Sequence, residues 1–187
     1  MTHQMGEAMA VRENPNLIFV LGGARSGKSG FAQRLVEELP GPYAFLATAE
    51  AYDAEMADRI ARHRAERGPQ WTTYDAPLDL AGVIRRLPQA QPILIDCLTL
   101  WLSNHLLADH DLKDEASRLL EALAARDAPT VVVSNEVGLG IVPDNVLARR
   151  FRDAAGRLNQ QVAQQARAVA FMVAGLPIFP KGKMAWT

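Results

Sequence analysis

The chain has 187 residues, 49% of them hydrophobic, and a single cysteine, which sets the scale at one domain with one substantial core and excludes an internal disulfide framework. Lys and Arg number 20 against 21 Asp and Glu, for a net charge of −1, so the charge carries no footprint for nucleic acid or an anionic membrane. No apolar run approaches the ~20 residues of a membrane-spanning helix, and a lone cysteine points to a reducing, cytoplasmic setting.

Residues 1–16 lack the basic start and apolar centre of a secretory leader and read as a flexible extension, leaving 17–187 as the folded domain. Leu17–Leu21 is an apolar run of strand length, and it breaks directly into Gly22-Gly23-Ala24-Arg25-Ser26-Gly27-Lys28-Ser29. That octet fits G-x-x-x-x-G-K-[ST], a turn whose backbone N–H groups and following helix N-terminus converge on a phosphate. In such a loop Lys28 lies along the β- and γ-phosphates of a nucleoside triphosphate and the Ser29 hydroxyl holds Mg²⁺. Phe31, Leu35 and Leu39 then recur at helical spacing until Pro40-Gly41-Pro42 stops the helix. Tyr43–Ala47 is a second apolar strand, running into Thr48 and Ala49.

A helix is expected over 51–67, with Asp53 and Glu55 early and arginines late, as its dipole favours, and Gly68-Pro69 ends it. Leu78–Leu87 reads as a further helix and Pro92–Asp96 as a strand. Helices follow over 98–109 and 112–126, then the strand Thr130–Ser134. The loop Asn135–Pro143 leads to a long helix from Asp144 to Arg167, with Asp144 as its N-cap, and a last strand, Ala168–Val173, precedes a Gly/Pro-containing tail. Strands that are apolar throughout belong to a sheet covered on both faces. Alternation with helices makes it an α/β domain of P-loop type, mostly parallel and flanked by helices.

Three residues outside the loop carry candidate chemistry. Asp96 ends a buried strand, where an acid can reach Mg²⁺ or accept a proton from an incoming hydroxyl; the alternative is a cap for the next helix. Cys97 reads as a small core residue. His63 falls three residues after Ile60 and seven after Met56, on the apolar stripe, with Arg59, Arg64 and Arg67 around it. Spacing alone reads it as a packed core histidine rather than a nucleophile, although a ring of guanidiniums suits a phosphate beside an attacking imidazole. The segment Ser134–Pro143 reads as facing a substrate, and its Gly138-x-Gly140 is not a dinucleotide fingerprint.

The stretches GGARSGKS, EMADRIARHR, Trp71–Thr73 and SNEVGLGIVP…LARRFRDAAGRLNQ together resemble the cobinamide kinase/cobinamide-phosphate guanylyltransferase (CobU/CobP) family of cobalamin biosynthesis. The resemblance runs from Leu17 to the tail and implies a single RecA-like P-loop domain with two activities. One moves the γ-phosphoryl of ATP or GTP to adenosylcobinamide. The other transfers GMP from GTP to adenosylcobinamide phosphate through a guanylyl-histidine, giving adenosylcobinamide-GDP. By the same resemblance the histidine is His63, and the nucleotide contacts fall on Gly22–Ser29, on Ala47, Thr48 and Ala49, on Arg64, Ala65, Glu66 and Arg67, and on Asp75 and Asp96. Relatives commonly carry glutamate at the two aspartates. It also implies Mg²⁺ at Ser29 and Asp96 and a homo-oligomer, a trimer. Other readings of the same loop are a P-loop small-molecule kinase with one activity and a nucleotide-binding switch.

Overall fold

The computed structural model describes residues 13–50, 67–183 and 186. The chain runs β1 (Asn14–Gly22), α1 (Lys28–Glu37), β2 (Tyr43–Ala47), β3 (Trp71–Asp75), α2 (Leu80–Arg86), β4 (Ile93–Asp96), α3 (Leu98–Leu107), α4 (Leu112–Ala124), β5 (Thr130–Asn135), α5 (Val146–Gln165), β6 (Ala166–Val173) and β7 (Leu176–Lys181). The helix expected over 51–67 lies outside the described residues, apart from Arg67.

The strands form one sheet in the order β3-β2-β4-β5-β1-β6-β7. All neighbours pair in parallel except β6 and β7, so the expected architecture of a mostly parallel sheet flanked by helices is what forms. Alternate residues of the central strands feed two cores. Leu17, Phe19, Leu46, Ile95 and Val132 pack against α2, α3, α4 and α5, through Ile84, Trp101, Leu119 and Leu158. Ile18, Val20, Leu94, Val131 and Val133 pack against Ala32, Leu35 and Val36 of α1. Burial of both faces is why these strands read as unbroken apolar runs rather than alternating ones. No helix among the described residues is long and apolar enough to cross a membrane.

Several boundaries differ from those read in sequence. β1 begins at Asn14, inside the stretch assigned to the extension, because the buried Asn14 side chain donates Nδ2 to Leu123 O (2.7 Å) and Arg126 O (3.0 Å). The N-cap of α5 is Asn145 rather than Asp144, with its side chain accepting from Ala148 N–H at 2.7 Å. α5 stops at Gln165, because Ala166 is already extended and Arg167 belongs to β6. Two strands went unread. β3 is an edge strand, half-buried and polar in sequence, so no apolar run marks it. β7 is the other edge and contains Pro177 and Pro180, which an outer strand tolerates because one side of its backbone has no ladder to donate to. Ala174 and Gly175, at φ 51° and 82°, form the two-residue turn that joins it to β6.

Candidate active site at the carboxyl ends of the strands

The phosphate loop lies where β1 gives way to α1. Gly22 is fixed by close approach: a Cβ there would sit 2.6 Å from Met172 O and 2.8 Å from Ser26 Oγ. Gly27 holds the left-handed φ of 90° that starts α1, and a Cβ on it would lie 3.3 Å from Gly175 Cα. Ala24 and Arg25 form the exposed crown, Arg25 at φ 54°. Ser26 is buried, and its carbonyl accepts the Gly175 N–H at 3.1 Å. The β6–β7 turn thus braces the loop from outside, while the N–H groups of the loop remain for a ligand.

Lys28 is buried, 7% exposed, with Nζ donating to Gly23 O at 2.6 Å. Burial pushes its pKa below the usual lysine value and the charge of Asp96 works against that shift. Ser29 stands exposed in the first turn of α1. That turn has no side-chain cap, whereas α2, α4 and α5 are capped by Asp79, Asp111 and Asn145. An uncapped N-terminus leaves its orphan N–H groups to an anion.

Asp96 is the last residue of β4, half-buried and two strands from β1 with β5 between. It is not a helix cap, since the N-cap of α3 is Cys97 and that position makes no side-chain capping bond. Cys97 is buried, its thiol pushed up to about 11 by burial and by the neighbouring Asp96 charge, which supports the core reading. Asp96 and Asp75 bracket Ala47: the end of β2 aligns with Asp96 on one side and Asp75 on the other. At ~4.8 Å per strand, the two acids are carried about 10 Å apart, and Asp75 stands four strands, about 19 Å, from β1.

The other residues predicted to meet nucleotide take varied positions. Thr48 is fully buried, and its hydroxyl donates to Cys97 O (2.7 Å) while accepting the Cys97 N–H (2.8 Å). This side chain therefore sets the backbone just after Asp96. Ala47 is buried and Ala49 half-buried. Arg67 lays its guanidinium 3.7 Å from the Phe45 ring centroid, with Nη2 donating to Thr73 Oγ1 at 3.3 Å, beside Asp75's strand rather than the phosphate loop. Asp75 is exposed. His63, Arg64, Ala65 and Glu66 lie outside the described residues. The described candidates thus divide into a phosphate cluster on β1, α1 and β4, and a second group along β2 and β3.

Sequence reasoning passed over the residues that hold these strand ends together. Asn104 of α3 donates Nδ2 to Thr48 O (2.9 Å) and Pro77 O (3.0 Å), joining the loops after β2 and β3. Beneath β5, Thr99 Oγ1 lies 3.3 Å from Ser134 Oγ and accepts Asn135 N–H at 2.7 Å, while Asn159 Nδ2 donates to Asn135 O at 3.2 Å. Asn104 stands among leucines and a tryptophan on the largely apolar helix Leu98–Leu107, which was the available signal for it.

Residues 18–179 match a family model described as cobinamide kinase / cobinamide phosphate guanyltransferase. The chain is 48% identical over 167 residues to the bifunctional adenosylcobalamin biosynthesis protein CobP of Pseudomonas aeruginosa, covering 88% of this chain and 96% of that one. It is 38% identical over 178 residues to the bifunctional adenosylcobalamin biosynthesis protein CobU of Salmonella typhimurium, covering 87% and 98%. A solved structure from Pyrococcus horikoshii OT3 shares the fold at a TM-score of 0.52 and 8% identity, over 92% of this chain and 89% of that one. The chain belongs to the cobinamide kinase / cobinamide phosphate guanyltransferase family.

Proposed function

We propose that this chain carries out both of the family's reactions in turn at the carboxyl edge of its sheet. In the kinase step the γ-phosphoryl of ATP or GTP goes to the aminopropanol hydroxyl of adenosylcobinamide. In the second step a His63 ring nitrogen attacks the α-phosphorus of GTP, the new N–P bond forms as the bond to pyrophosphate breaks, and the guanylyl group then passes to adenosylcobinamide phosphate. The observation that carries this reading is the phosphate loop itself, with Lys28 inside it, α1 uncapped behind it and Asp96 coupled to the lysine.

Each described residue then has a task. Gly22–Ser29 and the α1 N-terminus cradle the phosphates through backbone N–H groups, and Lys28 swings from Gly23 O to the β- and γ-oxygens. The Ser29 hydroxyl and the Asp96 carboxylate form a hard oxygen donor pair, suited to Mg²⁺, which takes one or two protein oxygens and completes its shell with phosphate and water. Bound there, Mg²⁺ neutralises charge on the transferring phosphates. Arg64 and Arg67 follow His63 by one and four positions in the sequence, and cations of this kind suit the charge that develops on the α-phosphate. Asp75 and the Ala47–Ala49 stretch, several strands from the loop, suit the ribose and base end of the nucleotide. The homo-oligomer belongs to the same reading: exposed Leu176, Ile178 and Phe179 on β7, and Leu139, Ile141 and Val142 after β5, are apolar surface that another copy can cover.

The test is where label resides. GTP labelled at the α-phosphate leaves acid-labile, alkali-stable label on the wild-type protein and none on His63→Ala, which keeps phosphorylating adenosylcobinamide. Transfer of γ-label with no α-label on the wild type overturns the guanylyl half and leaves a kinase; tight GTP binding with neither transfer leaves a switch.

A further inference from the structure

Besides Asp96 and Asp75, the strand ends carry a carboxylate that the two steps above leave unassigned. Glu136 follows β5, the strand between β4, which ends in Asp96, and β1, which runs into the phosphate loop. In register, Asp96 aligns with Val133 and Gly22 with Asn135. Glu136 therefore sits one residue past the level of Gly22, and its backbone N–H donates to Gly22 O at 3.0 Å. With strands ~4.8 Å apart, its backbone is one strand from the root of the loop and one from the strand of Asp96.

The residue is also held from below and from its own loop. Asn135, immediately before it, is fixed on both sides by Thr99 and Asn159. The Glu136 carboxylate accepts the Gly138 N–H through Oε1, which ties the side chain to the start of the turn. Glu136 is half-buried, whereas Gly138 to Val142 are exposed. The carboxylate is thus anchored at the lip of the phosphate loop, one strand from the root of that loop.

Asp96 and Glu136 keep different electrostatic company. Asp96 places its charge near the Lys28 ammonium, whereas the Glu136 carboxylate is anchored on the Gly138 N–H. In the function proposed above, the Asp96 carboxylate is given to Mg²⁺ and to Lys28. Transfer of a phosphoryl group to an alcohol nevertheless requires a group to orient the hydroxyl and receive its proton. We propose that Glu136 is that base in the kinase step. It takes the proton of the corrinoid hydroxyl as the new O–P bond forms at the γ-phosphorus. The bond from that phosphorus to the bridging oxygen breaks, and the nucleoside diphosphate leaves with the electron pair.

The guanylyl steps make no such demand: an unprotonated imidazole attacks first, and the later acceptor is an already ionised phosphate. Glu136 thus distinguishes the two activities sharing one sheet edge. This assignment rests on the kinase half of the function proposed above.

The experiment uses the full chain, adenosylcobinamide with γ-labelled ATP for one activity, and α-labelled GTP alone for the other. Glu136→Gln keeps an oxygen to accept the Gly138 N–H, so the turn is preserved. The expected result is a fall in kcat for corrinoid phosphorylation of about 100-fold or more, with the KM for ATP within about threefold and the covalent α-label still formed. Glu136→Asp recovers part of the kinase rate. A Glu136→Gln kcat within about threefold of wild type overturns the assignment. So does a parallel loss of kinase rate and α-label, which marks Glu136 as a structural support of the loop. Failure of the wild type to phosphorylate adenosylcobinamide is seen before any variant is made and removes the kinase reading itself.

Discussion

Replacing Thr48 by Val removes one oxygen and keeps the shape of the side chain, yet it strikes the joint on which Asp96 is mounted. The hydroxyl both accepts the Cys97 N–H (2.8 Å) and donates to the Cys97 carbonyl (2.7 Å), in a position with no solvent exposure. The carbonyl keeps a second partner, the Trp101 N–H at 3.2 Å, so its loss is the modest net value of one hydrogen bond, about 1 kcal/mol. A buried N–H with no replacement acceptor carries the larger desolvation penalty, about 2 kcal/mol. The variant is therefore expected to lose about 3 kcal/mol, which for a domain of this length lowers Tm by about 6–12 °C. Thr48→Ser keeps the oxygen and gives up only a methyl group, about 1 kcal/mol. Differential scanning calorimetry supplies the stability, and initial rates of corrinoid phosphorylation supply the function. Both should fall in Thr48→Val, because a loosened Cys97 peptide leaves Asp96 free to drift from Lys28. A Thr48→Val protein melting within about 2 °C of wild type, with only a higher KM for GTP, would refute this: the hydroxyl would then be a nucleotide contact, as the family resemblance alone implied.

Two predictions concern pH. The Cys97 thiol ionises near 11 in the fold against 9.0 ordinarily, so the unfolded chain loses its proton first; the stability is present below pH 9, falls as pH rises toward 11, and the loss amounts to about 3 kcal/mol. Urea midpoints at pH 8, 10 and 11 should show that fall in wild type and a smaller one in Cys97→Ala; equal falls reject the buried-thiol account. His105 is 2% exposed, with Nε2 3.1 Å from Leu78 O and Nδ1 2.9 Å from His110 Nδ1. Burial pushes its pKa below 6.5, aided by His110 and opposed by the Leu78 carbonyl and Glu115. The unfolded chain is protonated first as pH falls, so this stability is present above pH 6.5 and lost below it. The Trp101 ring, 4.5 Å from His105, reports the loss as a fluorescence change during acid titration, and a His105→Gln variant with an unchanged acid transition rejects the assignment.

What could be read in sequence was what burial and phosphate geometry write there. Central strands enclosed on both faces must be apolar along their length, so β1, β2, β4 and β5 were visible as runs. The phosphate loop was visible because Gly22 and Gly27 stand where a Cβ meets Met172 O or a left-handed backbone is needed. The edges were not, because half-burial leaves β3 free to be Trp-Thr-Thr-Tyr-Asp and lets β7 accept two prolines. For the site, chemistry-bearing types stood out at the start of α1 (Lys28), at the end of β4 (Asp96) and in the polar turn that contains Glu136. Their supports did not. Asn104, Thr99 and Asn159 act through pairings separated by 24 to 56 positions in the chain, and no local pattern records a partner that distant. Thr48 shows the consequence most sharply. The family resemblance implied a nucleotide contact there, and only the sheet order, which sets β2 beside β4, reveals that its hydroxyl bonds the residue following Asp96. A residue at such a strand end can thus serve by holding the backbone of a neighbour, and it is the register between neighbouring strands that shows which neighbour it holds.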